Sequence, residues 1–319
     1  MIGNRIGIQF RGRLGPCAED QKSMRILNRV VEWTETGISY EADQRHAEVV
    51  VQHLGLEGVS RSMCTPGVKG VRGSDKDEAE LDRELNSSDA TLYRAIVARG
   101  SSLAQDRSDI AFSVKELSRR MSCPDARDCQ SLKRLGRYLL KRERAVSHFC
   151  YQSCPEHWSI WVDSDWASCH RTRKSTSGGM VMFGNHALKS WSTTQQVIAL
   201  SSGEAEYYSM VRGGSMGLGI NAIASDLGLS FKVIVKTDAS AAQGIASRKG
   251  LGKVRHIDVS QLWLQDKVSK KEIVIEKVST HINVADALTK YVDSGKLNSH
   301  MISVGLVITT LRHELMPES

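Results

Sequence analysis

The sequence predicts an α/β protein: a mixed five-stranded sheet with flanking helices in the C-terminal half, preceded by a small, mainly helical unit. Two observations lead there. From Trp158 onward the segments run three strands, a helix, a strand, helices, a strand and a helix, an order that a sheet layered with helices satisfies. Before Trp158, three successive stretches carry helical periodicity. The composition agrees with a globular chain: 319 residues, 40% hydrophobic and 25% charged, a length that suits roughly two domains.

Taken in order, MRILNRVVEW and GISYEA read as a strand pair around the turn TETG, and DQRHAEVVVQHLG as a helix with Asp43 as N-cap and Gly55 as its stop. Pro66 and several glycines make GVSRSMCTPGVKGVRGSDKDE a linker. Helices are expected in SSDATLYRAIVARGSSLAQ, DIAFSVKELSRRM and ARDCQSLKRLGRYLLKRE. The last places Leu132, Leu135, Leu139 and Leu140 on one face and Lys133, Arg134, Arg137 and Lys141 mostly on the other, which reads as a solvated surface.

From there WSIWVDSD, TSGGMVMFG and HALKSWST are strands, and SSGEAEYYSMVRGGSMGLGINAIASDLG is a helix capped by Ser201 or Ser202. Its interior glycines, Gly213, Gly214, Gly217 and Gly219, each cost a helix about 1 kcal/mol relative to Ala, so close approach to the sheet must hold it. KVIVKTD is a buried strand, ASAAQGIAS a short helix, RKGLGKVRH a basic loop, IDVSQLWLQDKVSK a helix, EIVIEKVST a strand, and a last helix begins near Asn283. The expected division is residues 1–70, a linker and helical connection over 71–155, the α/β domain over 156–300 and a tail over 301–319.

A net charge of +7 suits an anionic partner such as nucleic acid. Seven scattered cysteines argue against a disulfide framework and for a reducing compartment. Cys150, Cys154 and His157 lack a matching second cysteine pair and read as ordinary residues, not a zinc site. With no long apolar run and no apolar leader segment, neither membrane insertion nor secretion is expected. The chain also lacks a GxSxG elbow, a GxxxxGK[ST] loop and an HExxH helix, which leaves acids as the residues able to carry chemistry.

In WVDSDWAS, Asp163 and Asp165 share a face by strand parity, and parity alone does not say which matters. Corresponding places elsewhere hold Glu206 in the first turns of the long helix, Asp238 at the end of the fourth strand and Asp286 at the opening of the last helix. If the first and fourth strands are neighbours, Asp163 and Asp238 emerge side by side. Clustered carboxylates need a cation to remain ionised, and hard oxygen ligands suit Mg2+ or Mn2+. Two such ions about 4 Å apart hydrolyse a phosphodiester without a side-chain nucleophile.

The series DSDWAS, RKSTSGG, SWSTTQQVIALSSGEAEY, TDASAAQGIA, VRHIDV and VADALTK resembles, in the same order, the RNase H domain of copia-type retrotransposon Pol polyproteins. The match runs from about Trp158 to Lys290, and residues 1–70 resemble the end of the same polyprotein's reverse transcriptase. The resemblance implies an RNase H-like fold and Mg2+-dependent cleavage of the RNA strand of an RNA–DNA hybrid. Asp163, Glu206, Asp238 and Asp286 would hold two Mg2+ ions, replaceable by Mn2+, with Asp163 bridging them. Glu206 is preferred to Glu204 because the family's ligand directly precedes the aromatic or aliphatic residue of the motif. Residues two apart on a helix also lie about 200° apart, so Glu204 is expected on the exposed side or supporting the cap.

Arg171, Arg173, Lys174, Ser175 and Thr176, with Ser177 beside them, are candidate phosphate contacts, as are Lys253, Arg255 and His256. Trp158, Trp161 and Trp191 are expected in the core, with Trp166 facing a sugar or base, and His281 is a candidate for assisting product release. No Tyr-x-Asp-Asp motif occurs, so DNA synthesis is not expected. The expected partners are an RNA–DNA hybrid and the remainder of a retrotransposon polyprotein, in the cytoplasm with the nucleus as the second location. The competing reading is a catalytically inactive retroelement remnant that at most binds nucleic acid. An integrase-like strand transferase fits the RKSTSG and VRHIDV contexts poorly.

Overall fold

The computed structural model describes residues 9–59, 61–69, 83–169, 171–252 and 257–318. Two five-stranded sheets organise it. The first is antiparallel throughout, with β1 (Ser23–Ile26), β2 (Arg29–Thr34), β3 (Gly37–Glu41), β4 (Arg144–Cys150) and β10 (Leu306–Thr309) in the order β1-β2-β3-β4-β10. Sequence reading expects a single strand pair here; the structure turns MRILNRVVEW back at Leu27 and Asn28, both at positive φ, to make β1 and β2, and neither β4 nor β10 is anticipated. Both are short and become strands by pairing with chain that lies far away in sequence, a context that local pattern does not carry. Residues 301–319, expected as a tail, thus contribute the edge strand of this sheet.

Between β3 and β4 lie α1 (Arg45–His53), α2 (Ser87–Leu103), α3 (Ser108–Ser118) and α4 (Ala126–Leu139). Asn86 caps α2, and Asp125 closes a capping box with Asp128 at α4, each satisfying backbone N–H groups that a helix start leaves open. Asp43 serves the start of α1 as expected, its Oδ1 accepting from Arg45 N at 3.2 Å, although it stands one residue before the cap position. Gln44 occupies the cap position in helical conformation without a side-chain bond, while the Asp43 carboxylate pairs with Arg45 at 2.7 Å.

The second sheet is mixed, with β5 (His157–Asp165), β6 (Thr176–Phe183), β7 (His186–Thr194), β8 (Lys232–Thr237) and β9 (Ile273–Lys277) in the order β7-β6-β5-β8-β9. β6 runs antiparallel to both neighbours, whereas β5, β8 and β9 are mutually parallel. This is the expected mixed five-stranded sheet. Helix α5 (Ser202–Asp226) lies across it. A Cβ at Gly213 would stand 2.5 Å from Val162 and one at Gly217 2.5 Å from Val233, so these glycines do permit the close helix-to-sheet contact.

The two faces of this sheet are covered differently. Ile160, Val162, Val181, Val233 and Val235 pack under Tyr207 and Met210 of α5. Met180 and Met182 point the other way, as strand alternation requires, into a second core built by Ile96, Ile110, Val114 and Leu135 of the N-terminal helices. After α6 (Ser240–Ala246), α7 (Trp263–Ser269) and β9, the chain makes two short 3-10 turns, Thr280–Ile282 and Asp286–Leu288, before α8 (Ser294–Ser303). The helix expected from Asn283 is therefore displaced. Asn283 donates its amide to Val162 O at 3.0 Å and accepts from Ala285 N at 3.1 Å, a local side-chain bonding pattern that competes with a helix. No helix among the described residues is long and apolar enough to cross a membrane.

Candidate metal centre

Parallel pairing sets Trp161 of β5 opposite Lys236 of β8. Two residues further along each strand, Asp163 and Asp238 leave the sheet at the same edge, which meets the condition the sequence left open. Ser201 starts α5 by accepting from Glu204 N at 3.2 Å, and the next turn delivers Glu206. One carboxylate oxygen from each of Asp163, Glu206 and Asp238 lies within 4.8 Å of the others.

Two of the three acids, Asp163 and Glu206, are held from behind. Thr289 Oγ1 donates to Asp163 Oδ2, and Ser209 Oγ donates to the Asp163 carbonyl at 2.7 Å. The Ser164 N–H donates to Glu206 Oε1 at 3.2 Å, while the buried Glu206 Oε2 has no hydrogen-bond partner among the described residues. Burial pushes Asp163 up to about 6: Thr289 and Lys290 oppose the rise, whereas the charges of Asp286 and Asp238 add to it. Burial and the charges of Asp163 and Asp238 push Glu206 up to about 8. Three crowded carboxylates with an unpartnered buried oxygen form a donor set that a hard divalent cation satisfies.

Asp286 stands beside this trio. Its Oδ1 lies 2.5 Å from Lys290 Nζ, and it opens a 3-10 turn in place of a helix. Burial alone would lower the Lys290 pKa, but Asp286, Asp163 and Asp165 outweigh it and raise it. Sequence reasoning names Asp286 and passes over Thr289 and Lys290, although residues three and four after an acid in a helical turn are the ones able to reach back toward it. Behind the turn, His300 Nδ1 lies 3.0 Å from Val284 O and Nε2 2.9 Å from Ser108 Oγ. Burial lowers its pKa; the neutral ring then donates to the carbonyl and accepts from Ser108, tying the acid-bearing turn to α3.

Asp165 is half-buried and outside the trio; burial raises its pKa against the opposing charges of Lys290, Lys69 and Lys115. Glu204 is 1% exposed, not on an exposed side. It accepts from Leu200 N at 2.8 Å and Tyr208 Oη at 2.7 Å, supporting the chain entering α5, as the alternative expectation had it.

The residues expected to touch phosphates separate. Arg171 and Arg173 are exposed, and Lys174 is partly buried. Ser175 and Thr176 are buried, and their hydroxyls are used internally: Ser175 Oγ accepts from Ala167 N at 3.0 Å, and Thr176 Oγ1 accepts from Lys115 Nζ at 2.6 Å. Their expected role as hydroxyl donors to a substrate gives way to that packing. Ser177 is likewise buried, with Oγ accepting from Gln195 Nε2 at 2.9 Å. Lys253, Arg255 and His256 lie outside the described residues. Trp158 and Trp191 are buried and Trp161 is partly buried, whereas Trp166 is 47% exposed with Nε1 donating to Ala199 O at 2.9 Å. His281 is exposed.

No family model matches the chain. Among curated proteins it is 32% identical over 215 residues to the Retrovirus-related Pol polyprotein from transposon RE1 of Arabidopsis thaliana, covering 63% of this chain and 14% of that protein. It is 29% identical over 268 residues to the Retrovirus-related Pol polyprotein from transposon TNT 1-94 of Nicotiana tabacum, covering 83% of this chain and 20% of that protein. The chain thus spans a fifth or less of the length of these relatives. Among solved structures, LC11-RNase H1, isolated from compost by a metagenomic approach, is 14% identical, covers 46% of this chain and 99% of its own, and has a TM-score of 0.31. On the sequence relationship, the chain is similar to a stretch of these retrovirus-related Pol polyproteins of plant transposons.

Proposed function

We propose that this region is a divalent-cation-dependent nuclease that hydrolyses the RNA strand of RNA–DNA hybrids. The observation that carries the reading is the convergence of Asp163, Glu206 and Asp238, whose oxygens lie within 4.8 Å of one another and include the unpartnered Glu206 Oε2. These three would hold Mg2+ or Mn2+, with Asp286 added if Lys290 releases it. When bound there, divalent cations supply the Lewis acidity of phosphodiester hydrolysis, activating the attacking water and stabilising charge on the leaving oxygen.

The chain's own residues supply placement. Thr289 orients the Asp163 carboxylate, the Ser164 N–H orients Glu206, and the parallel β5–β8 pairing fixes Asp163 beside Asp238. A purified sample incubated with end-labelled RNA–DNA hybrid and Mg2+ is expected to shorten the RNA strand and leave the DNA strand intact. Absence of cutting, or cutting that persists in Asp238→Asn, rules the reading out.

A further inference from the structure

The outward face of α5 has the composition of an interior. The inward side buries Tyr207, Met210 and Ala224, and a surface helix ordinarily sets charged residues opposite such a stripe. Between Arg212 and Asp226 the exposed side instead carries Ser215, Gly219, Ala222 and Ile223, with Met216 partly buried beside them and no charge between the two ends. Ile223 is 60% exposed and Leu227, one turn on, 75%. A helix apolar on both sides is ordinarily covered. No acid opposes the lowering of the Arg212 pKa by partial burial, and neither Arg212 nor Asp226 has an ion-pair partner among the described residues.

This face is complementary to itself. Gly219 lies seven residues from Arg212 and seven from Asp226, about 10 Å along the helix either way. If a second α5 crosses antiparallel at Gly219, each Arg212 meets the other copy's Asp226, while Met216 faces Ala222 and Ile223 faces Ser215. Long side chains then stand over short ones. A Cβ at Gly219 meets nothing within 4 Å, so the single chain has no need of this glycine; at a crossing point it lets two helix axes approach to about 8 to 10 Å. One cation and one anion leave the stretch neutral, which does not suit a nucleic acid backbone. Gly219 also stands about 20 Å along α5 from Glu206, so a partner there leaves the acids open. We infer that α5 joins two copies of this chain, paired antiparallel about Gly219 in an isologous dimer. Exposed ion pairs add little strength and here fix register and direction.

Sedimentation equilibrium of the full chain tests this. A single helix pair is at the small end of stable interfaces, so the dissociation constant is expected at about 1 to 50 μM. Gly219→Lys, which the open space accepts in the single chain, puts a long charged side chain at the crossing and should weaken the dimer at least about tenfold. Arg212→Asp and Asp226→Arg should each weaken it too, because each sets like charges opposite one another. An equimolar mixture of these two variants should associate again, since every facing pair is then of opposite charge. Thermal melts at low concentration show that each variant folds; if Gly219→Lys melts early, the mixture decides. A parent that stays monomeric at about 200 μM, far above the expected constant, overturns the proposal and leaves the face to a different partner. A dimer that survives Gly219→Lys unweakened, or a mixture that associates no better than its components, overturns it equally.

Discussion

Thr289 donates its hydroxyl to the carboxylate of Asp163 across 126 residues of chain. This bond joins the acid-bearing turn after β9 to the end of β5, so the orientation of one acid depends on the turn that carries another. Thr289→Val keeps the shape and removes the donor. Outer-layer partners of this kind change metal affinity by about 10- to 100-fold. Mn2+ titration followed by thermal shift should therefore move to at least tenfold higher concentration in Thr289→Val and much less in Thr289→Ser; equal shifts in both would place the effect in packing instead.

The two acids of WVDSDWAS separate by placement. Asp163 is buried within the trio, whereas Asp165 is half-buried outside it. Asp163→Asn should abolish hybrid cleavage and Asp165→Asn only reduce it. Equal loss in a single-turnover assay would show that both acids serve the metal centre alike.

Without cations the centre should make stability depend on pH. Asp163 at about 6 and Glu206 at about 8 hold protons in the folded chain that the unfolded chain releases near pH 4. Their contribution is fully present below that and is lost as pH rises through about 6 to 8. The melting temperature of ion-free protein should fall by several degrees from about pH 5 to pH 9, and Mn2+ should lessen the fall. A slope undiminished in Glu206→Gln counts against the assignment.

The glycines of α5 offer a contrast within one helix. A Cβ at Gly213 meets Val162 at 2.5 Å, whereas one at Gly219 meets nothing within 4 Å. Gly213→Ala should destabilise by about 1 to 3 kcal/mol through overpacking, and Gly219→Ala should stabilise by about 0.5 to 1 kcal/mol through helix propensity. Urea midpoints of opposite sign are the expected result; the same sign in both would refute the close-packing account.

Removing residues 1–150 should leave a sheet with one face bare. Met180 and Met182 then lose the core formed with Ile96, Ile110 and Val114, and β10 loses β4. Dye binding to exposed apolar surface, together with aggregation in gel filtration, is expected. A monodisperse fragment with a cooperative melt would show that the sheet stands without the N-terminal helices.

The sequence by itself determined the second sheet and its acids. Strand alternation, a capped helix and the motifs from DSDWAS to VADALTK are local signals, and local physics writes them into short stretches of chain. Only the tertiary structure decided the rest. β4 and β10 exist because each finds the other across the fold, and Ser175 and Thr176 turn inward because Ala167 and Lys115 bond their hydroxyls. Parity could not rank Asp163 over Asp165; the family resemblance favoured Asp163, and the fold buries it beside Glu206 and Asp238. Asn283 and Thr289, far along the chain, brace Val162 and Asp163 because the parallel β5–β8–β9 order brings the last turn back to the first strand. The bonds of Asn283 and Thr289 join residues more than a hundred positions apart, and their energy resides in desolvation and hydrogen bonding that no local window of sequence contains.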